Sequence, residues 1–380
     1  MTSARSDVVV LGAGITGLSV ALHLAEAGAK PLVIEREGVA AGASGVQPGG
    51  VRQQWSTPLN CLLARESAAF FADLPSRLDS SLPLEFSRCG YAFLAHSKVR
   101  LAQLADVVAV QNAAGVPSTL LSPEEAAHVV PGLATDDLAG ASWCAEDGYF
   151  DRPQSVVEAF AQAAWARGAE LMIAGVASIA PDGDGWALTL RDGSRILAER
   201  VVLAAGCDTT ALAAGAGLEL PIEREVRHLF YSEPIADRIL DPLVVSSERH
   251  FAAKQLADGR ILASDLAAFG DPETGRARWL RHVREVANEL LPRLTYVSFS
   301  IIATGYYDVT PDNQPILGAV EGLPGLYLAA GFSGHGFMLA PAVGRRIAGA
   351  VLGGVADEAL EQFSQARFGR GTLQKELVTV

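Results

Sequence analysis

Three glycine clusters dominate the residues able to do chemistry. Gly12-Ala13-Gly14-Ile15-Thr16-Gly17 has the spacing G-x-G-x-x-G. In that pattern Gly12 permits a tight turn, Gly14 lets the backbone approach a pyrophosphate, and Gly17 lets a helix pack closely on a strand. The helix that opens at Ile15 and Thr16 offers free N–H groups and a positive dipole end to phosphates. Glu35 closes the next apolar run, where a carboxylate can accept hydrogen bonds from ribose hydroxyls. Its charge argues against NADP, whose extra phosphate it would repel. A second cluster, Ala204-Ala205-Gly206, ends the apolar run Val201-Val202-Leu203. A third, Gly331-Phe332-Ser333-Gly334-His335-Gly336, lies between an apolar run and a helical stretch.

The elements that must position these turns follow from periodicity. Val8 to Leu11 is a β-branched, apolar strand of the kind buried on both faces. Leu18, Ala21, Leu22 and Ala25 share one helical face, and Gly28 follows as a cap. Residues 31–35 are the second strand, which completes a βαβ unit. A glycine-rich loop over 41–54 comes next, then helices over 59–74, 99–114 and 152–167. Strands are expected over 84–94, 174–179, 186–190 and 195–203, with Asp-Gly turns at 182–185 and 192–193. Residues 220–305 are strand-rich, with Asp258-Gly259 as a hairpin turn and a helix over 277–290. A short strand over 326–329 precedes the third glycine cluster, and a last helix runs from about 342 to 352.

Composition narrows the function classes. The chain has 380 residues, 49% hydrophobic and 19% charged, which suits a large core and two domains. A net charge of −13 argues against nucleic-acid binding. The four cysteines form no CxxC pair and the histidines no HxxxH or HExxH, so neither a disulfide framework nor a metal site is expected. Reduced thiols point to a cytoplasmic protein. The apolar run after Arg5 imitates a signal peptide, but Gly12, Gly14, Gly17 and His23 interrupt it, and no membrane span is expected.

The first cluster alone does not separate FAD from NAD. One pyrophosphate needs one such turn, so the second and third clusters suit the far parts of an extended cofactor. There is no second G-x-G-x-x-G for a nicotinamide: Gly215-Ala216-Gly217 lacks a preceding strand. FAD reduced by an organic substrate is the expectation. The segments DVVVLGAGITGLSVALHLAEAGAKPLVIERE, GASGVQPGGVRQQ, VVLAAG, GYYDVTPDNQPILG and GLYLAAGFSGHGFMLAPAVG resemble the D-amino acid oxidase family, which includes glycine oxidase, sarcosine oxidase and dye-linked L-proline dehydrogenase β subunits. The resemblance spans nearly the whole chain. It implies that Gly12, Gly14, Ile15, Thr16 and Gly17 hold the FAD pyrophosphate, Glu35 the ribose and Arg36 the adenine side. It places Ala43 and Ser44 along the phosphate–ribityl stretch, Val176 beside adenine, and Ala205 and Gly206 at a second contact. Gly334, His335, Gly336, Phe337 and Met338 would run along the flavin ring. Monomeric sarcosine oxidases attach FAD through a cysteine near the position of Gly305, so here FAD should be non-covalent. Those enzymes also carry a substrate-binding lysine where this chain has Met338.

Four candidates for the substrate side remain. Arg52 follows Gly49-Gly50, and arginine grips a carboxylate with two parallel N–H donors; a surface arginine is the alternative. Tyr307 would cap the substrate or fill the core. His335 would tune flavin or substrate, or simply pack. Lys254 would approach the flavin for oxygen activation, although a solvated lysine is the commoner outcome. The expected fold is an α+β two-domain flavoprotein. Residues 1–85, 146–218 and 306–380 would form a discontinuous Rossmann-like FAD domain, and 86–145 and 219–305 an antiparallel-sheet substrate domain. The expected reaction is oxidation of a C–N bond in a small amino acid by hydride transfer to flavin, with oxygen or an unidentified electron acceptor, and with a partner subunit possible. The alternatives are a 2-hydroxy acid dehydrogenase, with His335 as base, and an FAD-containing subunit active only with a partner.

Overall fold

The computed structural model describes residues 4–354, 356–371 and 373–378. Its first sheet grows from the predicted βαβ unit. Ala4–Leu11 pairs in parallel with Leu32–Glu35 on one side and with Arg195–Leu203 on the other. Glu170–Ile173 extends the sheet beyond Leu32–Glu35. The strand Arg195–Leu203 forks. Its first half pairs antiparallel with Gly185–Leu190, and its last residues pair in parallel with Leu326–Ala330. Strands beginning with an Asp-Gly hairpin therefore return the chain to the parallel core, so that the runs ending at Leu11, Glu35, Leu203 and Ala330 finish side by side.

Helices cover this sheet because their small faces allow close approach. Ile15–Glu26 lies against Gly336–Val351 and Pro153–Ala166 in one apolar core. A methyl group on Gly344 would lie 2.2 Å from Ser19 Oγ, so the first pair of helices can approach this closely only at a glycine. The last helix begins at Gly336, nearly two turns before the expected start at 342. Three glycines and Pro341 hide that beginning from propensity arguments. Pro341 costs one hydrogen bond near the helix start, where tertiary packing of Phe337, Leu339 and Ala340 outweighs the loss.

The second sheet has eight strands and carries Tyr91–Ala95, Gly140–Cys144, Glu223–Ser232, Phe251–Gln255, Ile261–Asp265 and Phe299–Val309 among them. One face packs on the helix Pro272–Leu290, which buries Trp279, Val283, Val286, Ala287 and Leu290 at helical spacing. Asp271 caps that helix by accepting from Glu273 N at 3.1 Å, and Pro272 takes its first position, so it starts five residues earlier than its apolar pattern suggests. Phe299–Val309 belongs whole to this sheet, paired along Glu223–Ser232, so the expected domain boundary at 305/306 cuts through a strand. The loop expected over 41–54 contains a short helix, Ala43–Val46, and a strand, Gly50–Val51. Gly50–Val51 pairs with Gly148–Phe150 in a three-stranded sheet, and this pairing fixes the backbone just before Arg52. No described helix is long and apolar enough to cross a membrane, and no described group of side chains could hold a metal.

Candidate active site

A cavity of about 690 Å³ opens at the carboxyl ends of the first sheet, where ligands of open α/β sheets bind. All three glycine clusters reach its wall. Gly12 has φ +110°, and a Cβ there would sit 2.4 Å from Ala204 O. Gly17 does not line the cavity. Its Cβ would lie 2.1 Å from Gly12 O, so its role is to bring helix onto strand. Ser44 Oγ accepts the Ile15 N–H at 3.0 Å, and helix geometry leaves the N–H groups of Thr16 and Gly17 without intrahelical acceptors. The cavity mouth therefore presents a helix N-terminus suited to an anion.

Glu35 and Arg36 brace the same wall. Glu35 accepts from Ala13 N and Glu37 N, each at 2.9 Å, and its carboxylate retains lone pairs for a ribose. Arg36 is paired to Asp208 at 2.8 Å and to Glu37 at 2.9 Å, which raises its pKa and ties the first cluster to the second. Ala43, Val176, Ala205, Gly206, Gly334, Gly336 and Phe337 also line the cavity. Gly334 has φ +90°, and a Cβ there would meet the Tyr307 ring at 2.3 Å, so Tyr307 closes over the third turn. Arg227 and Gly305 of the second sheet complete that side.

Other expected wall residues lie elsewhere. Met338 does not line the cavity: it is buried in the apolar core, about 100° round the helix from Phe337, which does reach the wall. His335 is buried behind the wall, with its ring edge against Trp55 at 4.6 Å. Lys254 is fully buried and not solvated. Its strand alternates so that Ala252 and Lys254 face inward while Phe251 and Ala253 face the long helix. Its Nζ donates to Phe150 O at 3.3 Å and lies 3.9 Å from the centre of the Tyr149 ring. Burial without a carboxylate partner lowers its pKa to about 7. It does not reach the cavity wall.

Arg52 is fully buried as well, one layer behind the wall. Its guanidinium stacks on Trp55 at 4.0 Å. Nη1 donates to Gln54 O, and Nη2 donates to Val378 O at 2.5 Å with His335 Nε2 at 3.4 Å. Nε has no acceptor among the described residues. Burial lowers the Arg52 pKa, while Tyr91, Glu376 and Asp147 nearby raise it. His335 is pushed well below 6.5, first by burial and then by the Arg52 charge, so its ring is neutral and Nε2 faces the guanidinium as an acceptor.

Two buried carboxyl groups with no sequence signal organise this region. Asp147 accepts from Gln53 N at 2.8 Å and from Gln54 Nε2 at 3.1 Å, and burial raises its pKa to about 6. Gln54 Nε2 also donates to Tyr91 O, and its Oε1 accepts from Ser142, so the backbone carrying the carbonyl that holds Arg52 is pinned. Asp308 accepts from Gly331 N at 2.7 Å and holds the third glycine turn; burial raises it to about 6. An Asp-Gly pair at 147–148 has the composition of an exposed turn, which hides its role.

These features fit FAD. Two turns where a Cβ would clash, at Gly12 and Gly334, a third at Gly206 with φ +53°, a helix N-terminus and a carboxylate share one cavity, which offers the close backbone approach, donors and acceptors a dinucleotide needs. The comparisons agree. A family model described as FAD dependent oxidoreductase (DAO) matches residues 7–350. The bovine FAD-dependent oxidoreductase domain-containing protein 1 is 30% identical, over 92% of this chain and 82% of its own length. The crystal structure of L-proline dehydrogenase from P. horikoshii superposes with a TM-score of 0.91 at 30% identity, covering 98% of this chain and 100% of that one. Glycine oxidase from Geobacillus kaustophilus gives 0.86 at 26% identity, over 96% and 99%. On this match across most of its length, the chain belongs to the DAO family of FAD-dependent oxidoreductases and is an enzyme that uses FAD.

Proposed function

We propose that the protein oxidises the C–N bond of a small amino acid, a secondary amine such as proline or an N-methyl glycine, at a non-covalently held FAD. The observation that carries this reading is Arg52. It is a fully buried cation that makes no ion pair with any described carboxylate, and its Nε–H meets no acceptor among the described residues. An unpaired buried charge is costly, so a guanidinium held by two carbonyls, a neutral imidazole nitrogen and an indole face, with no described carboxylate, is poised for an anion. A substrate carboxylate offers that anion with bidentate geometry. The similarity to L-proline dehydrogenase and glycine oxidase supports the substrate class.

Bound FAD supplies the acceptor for the hydride that leaves the substrate carbon. The chain's own residues supply orientation. Arg52 would fix the carboxylate, Tyr307 would cap the substrate from the second sheet, and the apolar residues Tyr91, Phe93 and Leu243 would exclude water. Amine substrates need no strong base, because the amine can lose its proton to solvent before reaction. A hydroxy acid does need one, and His335 is poorly suited: its Nε2 lone pair faces the Arg52 cation, which lowers its basicity. The geometry therefore favours the amine reading. Lys254 has no part in this scheme because it bonds to Phe150 O away from the cavity wall.

The test is Arg52→Ala. Loss of a buried charge partner costs about 2–5 kcal/mol, which predicts KM for proline or sarcosine raised about 30-fold or more, with flavin content unchanged. Pyrrolidine, which lacks the carboxylate, should be handled equally by both proteins. An unchanged KM for the amino acids would remove Arg52 from the substrate site.

A further inference from the structure

The segment 373–378 runs along the protein to end at Arg52, and its attachment is uneven. Glu376 is fully buried. Its Oε1 accepts from Ser56 N and Val378 N, each at 2.9 Å, and its Oε2 accepts from Asn60 Nδ2 at 2.9 Å. Its own N–H donates to Asp312 O at 2.9 Å, and the Leu377 N–H donates to Ser56 Oγ at 3.0 Å. Glu376 is thus a firm anchor. Beyond it the hold is lighter. Leu377 is 64% exposed, and Val378 is tied by one N–H to Glu376, by side-chain packing and by its carbonyl. That side chain packs with Tyr91, Phe93, Leu243 and Ala252 on the inward face of the second sheet, and the carbonyl accepts from Arg52 Nη2 at 2.5 Å.

We infer that residues 377–378 form a latch over the substrate site: the Val378 carbonyl occupies Arg52 when the site is empty, and a substrate carboxylate displaces it. The inference rests on the proposed role of Arg52 as carboxylate anchor. It explains why that arginine has no exposed surface although it is to meet a ligand. A neutral carbonyl is the weaker partner for a guanidinium, because a carboxylate adds an opposite full charge and can take two parallel N–H donors at once. A carboxylate can therefore take Nη2 and the unused Nε together, while Glu376 keeps its anchor and the chain hinges at exposed Leu377. An amine without a carboxylate cannot make the exchange. Because the latch competes only for Arg52, it lowers the apparent affinity for carboxylates by the fraction of molecules in which that anchor is free, and leaves a ligand without a carboxylate unaffected.

The test is titration of the FAD-loaded protein with acetate, followed by the change in flavin absorbance. Two variants weaken the latch: a chain ending at Glu376, and Val378→Pro, which removes the N–H bonded to Glu376. Melting temperature and flavin content establish that each is folded and loaded. The latch predicts acetate binding about 3- to 10-fold tighter in both, with pyrrolidine binding unchanged. Equal or weaker acetate binding in the loaded variants, while Arg52→Ala still abolishes it, would overturn the latch and leave the anchor intact. Acetate binding that survives Arg52→Ala would overturn both.

Discussion

Replacing Lys254 by methionine should stabilise the protein, and by more at low pH than at high pH. The side chain is fully buried, and its polar partners among the described residues are the Phe150 carbonyl and the Tyr149 ring. Burial lowers its pKa from 10.5 to about 7. That difference corresponds to a cost of about 5 kcal/mol when the folded state must carry the charge. Between pH 7 and 10.5 the unfolded chain binds the proton and the folded chain does not, so stability rises with pH through that window. Below pH 7 both states are protonated and the full cost persists. From pH 6 to pH 9 the wild type should gain about 3 kcal/mol from this group. Lys254→Met fills the same volume without the charge, so the gain should vanish. Urea midpoints of the two FAD-saturated proteins at pH 6, 7.5 and 9 measure this. Asp147 and Asp308 titrate in both proteins, so their effects cancel in the difference. Parallel pH profiles would refute the reasoning and show that Lys254 keeps its proton in the folded state across this range.

Two further substitutions test how the site is held. Gly17→Ala places a methyl 2.1 Å from the Gly12 carbonyl, and relieving an overpacked contact costs about 1–3 kcal/mol. FAD affinity, read by fluorescence titration of the apoprotein, should fall about 5- to 150-fold; unchanged affinity would remove that helix–strand contact from the cradle. Arg367→Ala breaks the buried pair with Asp312, whose bonds are 2.8 and 3.0 Å, and should cost about 3–5 kcal/mol in denaturant unfolding, whereas a loss below about 1 kcal/mol would show the pair to be solvated.

The βαβ unit was legible because its signal is local. A β-branched run, G-x-G-x-x-G and an apolar helical face lie next to one another, and the hairpins at 182–185 and 192–193 are marked by their turn residues. The strand Arg195–Leu203 has the bounds its pattern suggests. Helix starts were less legible where caps and proline, and not apolar spacing, set the boundary, as at Pro272 and Gly336. The candidate site was legible only in part. Arg52, His335 and Val378 come together from positions far apart in the chain, and no spacing rule connects them. Lys254 has the sequence context of a strand residue with a free end, and only the strand's neighbours decide that both faces are covered. Asp147 and Glu376 sit in polar segments whose composition suits solvent, yet each is buried and satisfies backbone donors.

The most direct measurement is anaerobic mixing of the FAD-loaded protein with matched pairs of small acids, following loss of the oxidised-flavin absorbance band. Proline and sarcosine should bleach it, while 2-hydroxy acids of the same size should leave it intact, because Arg52 can orient both carboxylates but only the amines need no stronger base than His335. Bleaching by a hydroxy acid with no response to any amino acid would contradict the account.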